Sequence, residues 1–283
     1  MGSTQPSQEG RLHAFQVISD LHLEVGRQYS SFEFPVKAPN LIFAGDVGCL
    51  AQYDEYLDFI RKQTCRFERV FLVLGNHEFY DMTYAAGLEK ARELEKEPSL
   101  DGRLILLDRT RYDIPDSHVT LLGCTLWSRV ADDVKEIVRS KVKDYRRIED
   151  WSVEVHNSGH EKDSGWLKDQ VKEIQRGGEQ RQMLIVTHHA PCFDGTSSPR
   201  HAQNPWTCAF ASDTLPDEGW AGVKYWIFGH THYTTEFTRG VVRVVSNQRG
   251  YVLPSESTEK KAENKFDVEK FSEPVACQLK YPK

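Results

Sequence analysis

Five short motifs set metal-ligating side chains at the ends of apolar runs. They read Asp20-Leu21-His22, Gly45-Asp46, Gly75-Asn76-His77-Glu78, Thr187-His188-His189 and Gly229-His230-Thr231-His232. Carboxylates, a neutral amide oxygen and imidazoles are donors that divalent cations take from proteins. Two aspartates, an asparagine and up to five histidines on one rim are more polarity than a fold buries without a cation. A pair of adjacent cations is the economical reading, and paired cations hydrolyse phosphate esters.

Each spacing has its own logic. Asp20 and His22 lie two apart, so an extended backbone turns both to one side, toward one cation. Asp46 has two carboxylate oxygens and is able to bridge two cations, and Gly45 permits a tight turn before it. Asn76 offers an oxygen without adding charge, which leaves His77 free for proton transfer or for bonding the substrate. In Thr187-His188-His189 one imidazole faces the cations and its neighbour faces substrate or solvent; these residues alone leave open which. Pro191 then stops the strand. His230 and His232 reach two adjacent cations. Each motif is ordinary in isolation, and their shared position at strand ends makes them a site.

The runs that carry these motifs, 15–18, 41–44, 70–74, 183–186 and 225–228, are short and stop at Ser, Gly or Thr just before the polar residues, as buried strands do. Between them, Tyr56, Leu57 and Ile60 have helical spacing within 53–62, and 82–97 has the charge pattern of a solvated helix. Strand, helix, strand, helix with site residues after each strand predicts a parallel α/β arrangement. Further along, the pattern predicts strands at 104–107 and 119–122, helices at 131–142 and 165–175, and a closing hairpin of 235–237 and 241–245 turning at Arg239-Gly240. Residues 191–220 predict a long loop, and loops of that length in a compact domain are usually functional.

The chain has 283 residues, enough for one large core or two small ones. We expect a disordered segment 1–10, a single domain over 11–283 and an extended charged tail after Pro254. A net charge of −6 and a pI near 6.0 argue against an extended nucleic-acid partner. Nothing points to a protein partner. Six cysteines without a C-x-x-C pair predict reduced thiols in a cytoplasmic protein. Met1 to Gly10 lacks a basic start and an apolar stretch, so no secretory leader is expected. No stretch approaches the roughly 20 apolar residues of a membrane span.

The order D-x-H, G-D, G-N-H-[ED], a His motif and G-H-x-H resembles the calcineurin-like metallophosphoesterase superfamily over about residues 15–250. The segments Leu122–Trp127, Asp144–Ile148, Ser246–Tyr251 and Glu263–Asp267 resemble a microbial branch of it. The resemblance implies a four-layer α/β/β/α sandwich with mixed sheets and two transition-metal ions such as Mn2+, Fe or Zn2+. It implies that Asp20, His22 and His232 hold one metal, that Asp46 bridges, and that Asn76, His188 and His230 hold the other, with His77 as the catalytic imidazole. In the protein-phosphatase branch an Asp three residues after the bridge orients the catalytic His, and an Arg follows it. Cys49 and Leu50 stand there in this chain, which argues against a protein phosphatase and leaves the partner of His77 open.

Substrate contacts must come from loops. Arg146, by resemblance, and His189 are the candidates for that role, with Arg147, Arg200, His201, Trp206 and Arg249 behind them, since Arg forks onto phosphate and Trp stacks on a base. The expected activity is hydrolysis of a small or nucleotide-type phosphodiester, 2′,3′-cyclic phosphates included. The alternatives are a phosphomonoesterase or Ser/Thr phosphatase, and a non-catalytic binding scaffold on the same fold.

Overall fold

The computed structural model describes residues 13–201, 203–216 and 218–253. The expectations for 1–10, for Glu263–Asp267 and for the tail lie outside these residues. In chain order the strands are β1 (Phe15–Ile18), β2 (Asn40–Ala44), β3 (Arg69–Val73), β4 (Met82–Thr83), β5 (Leu104–Leu106), β6 (Thr110–Asp113) and β7 (Val119–Cys124). They continue with β8 (Ile148–Glu149), β9 (Gln182–Thr187), β10 (Val223–Ile227), β11 (Thr235–Arg239) and β12 (Val242–Ser246). The helices are α1 (Tyr53–Thr64), α2 (Tyr84–Glu95), α3 (Lys135–Lys141), α4 (Asp144–Arg147) and α5 (Val153–Arg176).

Alternation within the apolar runs decides which way each strand faces. The first sheet has the order β1-β2-β3-β5 and is parallel throughout. Val17, Ile42, Ala44, Phe71 and Val73 point inward and meet Leu121, Leu184, Val186 and Ile227 of the second sheet. Ile18, Leu41, Phe43, Val70 and Leu72 point the other way, onto Tyr56, Phe59 and Ile60 of α1 and Ala91 and Leu94 of α2. The second sheet has the order β11-β12-β10-β9-β7-β6, parallel at its centre with an antiparallel strand at each edge. Its outer face, with Leu122, Ile185, Trp226 and Val244, is covered by Leu167, Val171 and Ile174 of α5. Both sheets are therefore buried on two faces, which explains strands that are apolar almost without break. The layers are α/β/β/α, as expected.

Several elements differ from the sequence reading. The helix expected at 165–175 is the 24-residue α5, starting at Val153 behind the Ser152 cap. Its first half buries His156, His160, Asp163 and Ser164, and these polar residues break the apolar period. β6 was not expected; its residues alternate little and are only partly covered. α2 starts at Tyr84 because Thr83 caps it, accepting a hydrogen bond from the Ala86 N–H. The helix expected at 131–142 shortens to α3 after a 3-10 turn at Asp132–Val134.

Two seams position the site. Ser19 at the end of β1 donates its N–H to Asn247 O, and Arg249 N–H bonds back to Ser19 O, so the coil after β12 is stitched to the other sheet. The short parallel pair β4–β8 brings the segment around Asp144 beside Tyr80.

Candidate metal centre

All five motifs arrive at the same edge of the sandwich, where β1, β2, β3, β9 and β10 end. Three glycines allow the close approach. A Cβ on Gly45 would overlap the His188 ring, one on Gly75 would overlap Asp46 Oδ1, and one on Gly229 would lie 2.7 Å from Asp20 Oδ2. The backbone is also bent: Asp20, His22, Asp46, His230 and His232 adopt left-handed φ values of 54°, 48°, 53°, 70° and 51°. Such conformations cost on the order of 1–3 kcal/mol each in non-glycine residues and cluster at functional sites.

The candidate ligands form two groups around Asp46. Asp20, His22 and His232 offer donor atoms within 4.8 Å of one another, and so do Asp46, His188 and His230. Asp46 Oδ1 lies 3.4 Å from His188 Nε2, while its Oδ2 lies 3.7 Å from His22 Nε2. Its two oxygens thus turn to different groups. Asn76 Oδ1 sits 3.1 Å from His188 Nε2. His188 donates its Nδ1–H to Ala44 O at 2.9 Å, which leaves Nε2 as the free donor.

The donor set fits cations. His22 Nε2 faces His232 Nε2 at 2.8 Å, and His188 Nε2 faces His230 Nδ1 at 3.1 Å. Facing lone pairs are satisfied only by a shared proton or cation. His230 Nε2 is buried with no hydrogen-bond partner. Burial pushes Asp46 up, but the neighbouring imidazoles of His188 and His77 outweigh it and hold the carboxylate well below its usual range. Burial lowers His188, yet Asp46 beside it lifts the imidazole to about 9. Burial and the nearby His22 drive His232 down to about 3.

A second ring of residues holds the first, and the sequence reading missed it. Glu78 is fully buried and accepts N–H groups from Gly75 at 2.6 Å, Asp46 at 3.0 Å and Val47 at 2.8 Å, plus the Tyr56 hydroxyl at 3.1 Å. It therefore shapes two ligand loops at once. Asp144 accepts from Asn76 Nδ2 at 2.7 Å and from Tyr80 Oη at 2.8 Å, which aims the Asn76 oxygen toward His188. Glu24 is the partner His77 lacked: its Oε1 lies 2.7 Å from His77 Nδ1. Burial opposes ionisation of Glu24, but hydrogen bonds from His22 and His77 hold it at about 2. The other His77 nitrogen lies 3.0 Å from the Tyr251 hydroxyl. Burial would lower His77; Asp46 and Glu24 outweigh burial and raise it. Of these, Glu78 stands inside the Gly75-Asn76-His77-Glu78 motif and Glu24 lies two residues beyond His22, spacings that could have revealed them.

A cavity of about 480 Å³ opens over this centre. Asp46, Asn76, His77, His230 and His232 line it at the centre, and the 191–220 loop contributes Ser197, His201, Trp206 and Phe210. The substrate candidates divide. His201 and Trp206 line the cavity, whereas Arg146 is exposed and does not. His189 also stays outside: it is fully buried, its ring 4.0 Å from that of His230 and 5.2 Å from that of Trp127. Arg147 forks onto Asp81 at 2.9 Å, and Arg249 is buried against Leu21 O and Gln28.

The calcineurin-like phosphoesterase family model matches residues 14–234. This chain belongs to that family. The phosphoesterase is 25% identical over 268 residues to an uncharacterized protein of Acanthamoeba polyphaga mimivirus, covering 85% of this chain and 92% of that one. It also resembles phosphopantetheinyl hydrolase from Mycobacterium tuberculosis, with a TM-score of 0.64, 16% identity, and 86% and 91% of the two chains covered. That likeness speaks to the fold. The protein is a metal-dependent phosphoesterase. Among its described residues no helix is long and apolar enough to cross a membrane.

Proposed function

We propose that this phosphoesterase is a binuclear phosphodiesterase acting on small or nucleotide-type substrates, 2′,3′-cyclic phosphates included. The observation that carries it is Asp46, whose two oxygens turn to separate donor groups with His77 alongside. Asp20, His22 and His232 would hold one cation and Asn76, His188 and His230 the other, with Asp46 between them; Mn2+, Fe or Zn2+ suits these nitrogen and oxygen donors. When bound, such a pair neutralises phosphoryl charge and lowers the pKa of water.

The remaining work falls to side chains. His77, favoured as imidazolium by Asp46 and Glu24, donates a hydrogen bond to a phosphoryl oxygen or its proton to the departing alcohol. Glu24 fixes the ring, and Tyr251 bonds the ring nitrogen opposite. A diester is favoured over a dianionic monoester because the place of the phosphatase Asp-Arg pair is apolar. Cys49 donates its thiol to Tyr80 O, and Leu50 is buried in the core. The metal-loaded protein should hydrolyse bis-p-nitrophenyl phosphate with Mn2+, and His77→Ala should slow it by about 100-fold or more. Equal turnover in metal-saturated wild type and variant would remove His77 from the chemistry.

A further inference from the structure

The cavity is larger than a phosphoryl group needs. About 480 Å³ falls in the range of roughly 300–1,000 Å³ typical of sites that hold whole organic molecules. Two sets of contacts are found among its lining residues. In the first, Phe210 stacks on His230, with ring centroids 4.9 Å apart at 29°. Trp206 shares the lining, with Lys141 Nζ 5.8 Å from the Trp206 ring centre. In the second, Tyr251 bonds His77, and Lys143 Nζ sits 5.2 Å from the Tyr251 ring centre. Each set combines a site histidine, an aromatic ring and an ammonium.

Neither lysine has a carboxylate partner among the described residues, in a chain whose net charge is −6. The carboxylates of the cavity are otherwise engaged: Asp46 among the imidazoles, Asp144 with Asn76 and Tyr80. Two ammoniums in the lining of one cavity, two residues apart in sequence and without a carboxylate partner among the described residues, attract an anion beyond the scissile phosphate, and lysine binds phosphate as a point charge. A flat ring between them would stack on Trp206 or Phe210.

We propose that Lys141 and Lys143 form a second phosphate subsite, and that the preferred substrate is a nucleotide diester carrying an additional terminal phosphate. This rests on the phosphodiesterase reading above. In the reaction a water oxygen adds to phosphorus, the P–O bond to one nucleoside breaks, and the released alcohol takes the proton; the terminal phosphate is held unreacted.

The test compares three probes on the full, Mn2+-loaded chain: bis-p-nitrophenyl phosphate, the dinucleotide ApA, and its 5′-phosphorylated form pApA. Wild type should favour pApA over ApA by about tenfold or more in kcat/KM, the effect of one charged contact. That preference should collapse in the Lys141→Ala/Lys143→Ala double variant and persist when both become Arg. Equal kcat/KM for pApA and ApA, with bis-p-nitrophenyl phosphate still turned over, refutes the subsite and leaves the diesterase reading standing. A preference unchanged in the double alanine variant refutes these lysines as its source. No turnover of any probe by protein shown to hold metal refutes the diesterase reading and the subsite together.

Discussion

Under the proposed reading Glu24 would orient His77 from a different loop, where the protein-phosphatase branch uses the Asp after the bridge. Its carboxylate reaches His77 across 53 residues of sequence, at 2.7 Å. A carboxylate that fixes a ring's tautomer and orientation acts through that ring, and its loss typically costs about 10–100-fold in activity or metal affinity. Glu24→Ala should therefore lower kcat by roughly that factor with KM little changed. Glu24→Gln, which still accepts a hydrogen bond, should recover part of it. A fall confined to KM, or no rescue by Gln, would show that Glu24 does not position His77. The candidate ligands were legible because each sits inside a compact motif at a strand end. Their supports were not. Glu78 stands within a recognised motif, yet its bonds to the Asp46 and Val47 N–H groups exist only once β2 and β3 lie side by side. Asp144 and Tyr251 reach the site from 68 and 174 residues away, and no local pattern encodes such distances.

At the scale of elements, the parallel strands were readable because burial on both faces makes them continuously apolar. α5 was half readable, since its first half buries histidines and an aspartate where a regular apolar face was expected. The strand-to-loop junctions are the most exacting parts of the fold. A methyl at Gly75 would overlap Asp46 Oδ1 and lie 2.6 Å from the Asp46 nitrogen, so two ligand loops would have to separate. Gly75→Ala should destabilise the fold by about 1–3 kcal/mol, as overpacking does. It should also weaken metal binding, measured by titration with Mn2+. Unchanged melting and unchanged affinity would mean that the two loops have slack that this packing does not reveal. The 191–220 loop has the opposite character. Its pattern announced a function, but the contribution of Trp206 and Phe210 to the cavity depends on the Ala190–Ala211 bridge, which ties the loop's start to the ground beyond them.

For the whole molecule, the acid limb of stability should come partly from behind the metal centre. His156 is fully buried under Trp127, Trp151 and Tyr145, with Ser128 Oγ 3.0 Å from its Nε2. Burial, with a smaller push from His160, drives it down to about 3. The unfolded chain then binds a proton that the folded chain refuses between about pH 6.5 and 3, so stability falls as pH drops through that window. Between pH 7 and pH 5 this histidine alone should remove about 2 kcal/mol. His156→Gln should flatten that slope in denaturant melts of metal-free protein. An identical slope would place the acid sensitivity elsewhere. Asp163, raised to about 6 by burial against the pull of Arg109, works in the opposite sense. Its charged form is the costly one, so its contribution improves as pH falls from about 6 to 4, which offsets part of the histidine's loss.

Tyr251 divides the molecule's labour unevenly. Every candidate ligand lies at or before His232, but the phenol over His77 comes from coil beyond the last strand, past the 14–234 span shared with the family. A chain shortened to Ser246 would keep all seven candidate ligands and His77 while losing that cover and the Ser19 stitch. Such a fragment could still collect cations and yet hydrolyse poorly, which makes metal content a weak proxy for competence in this protein.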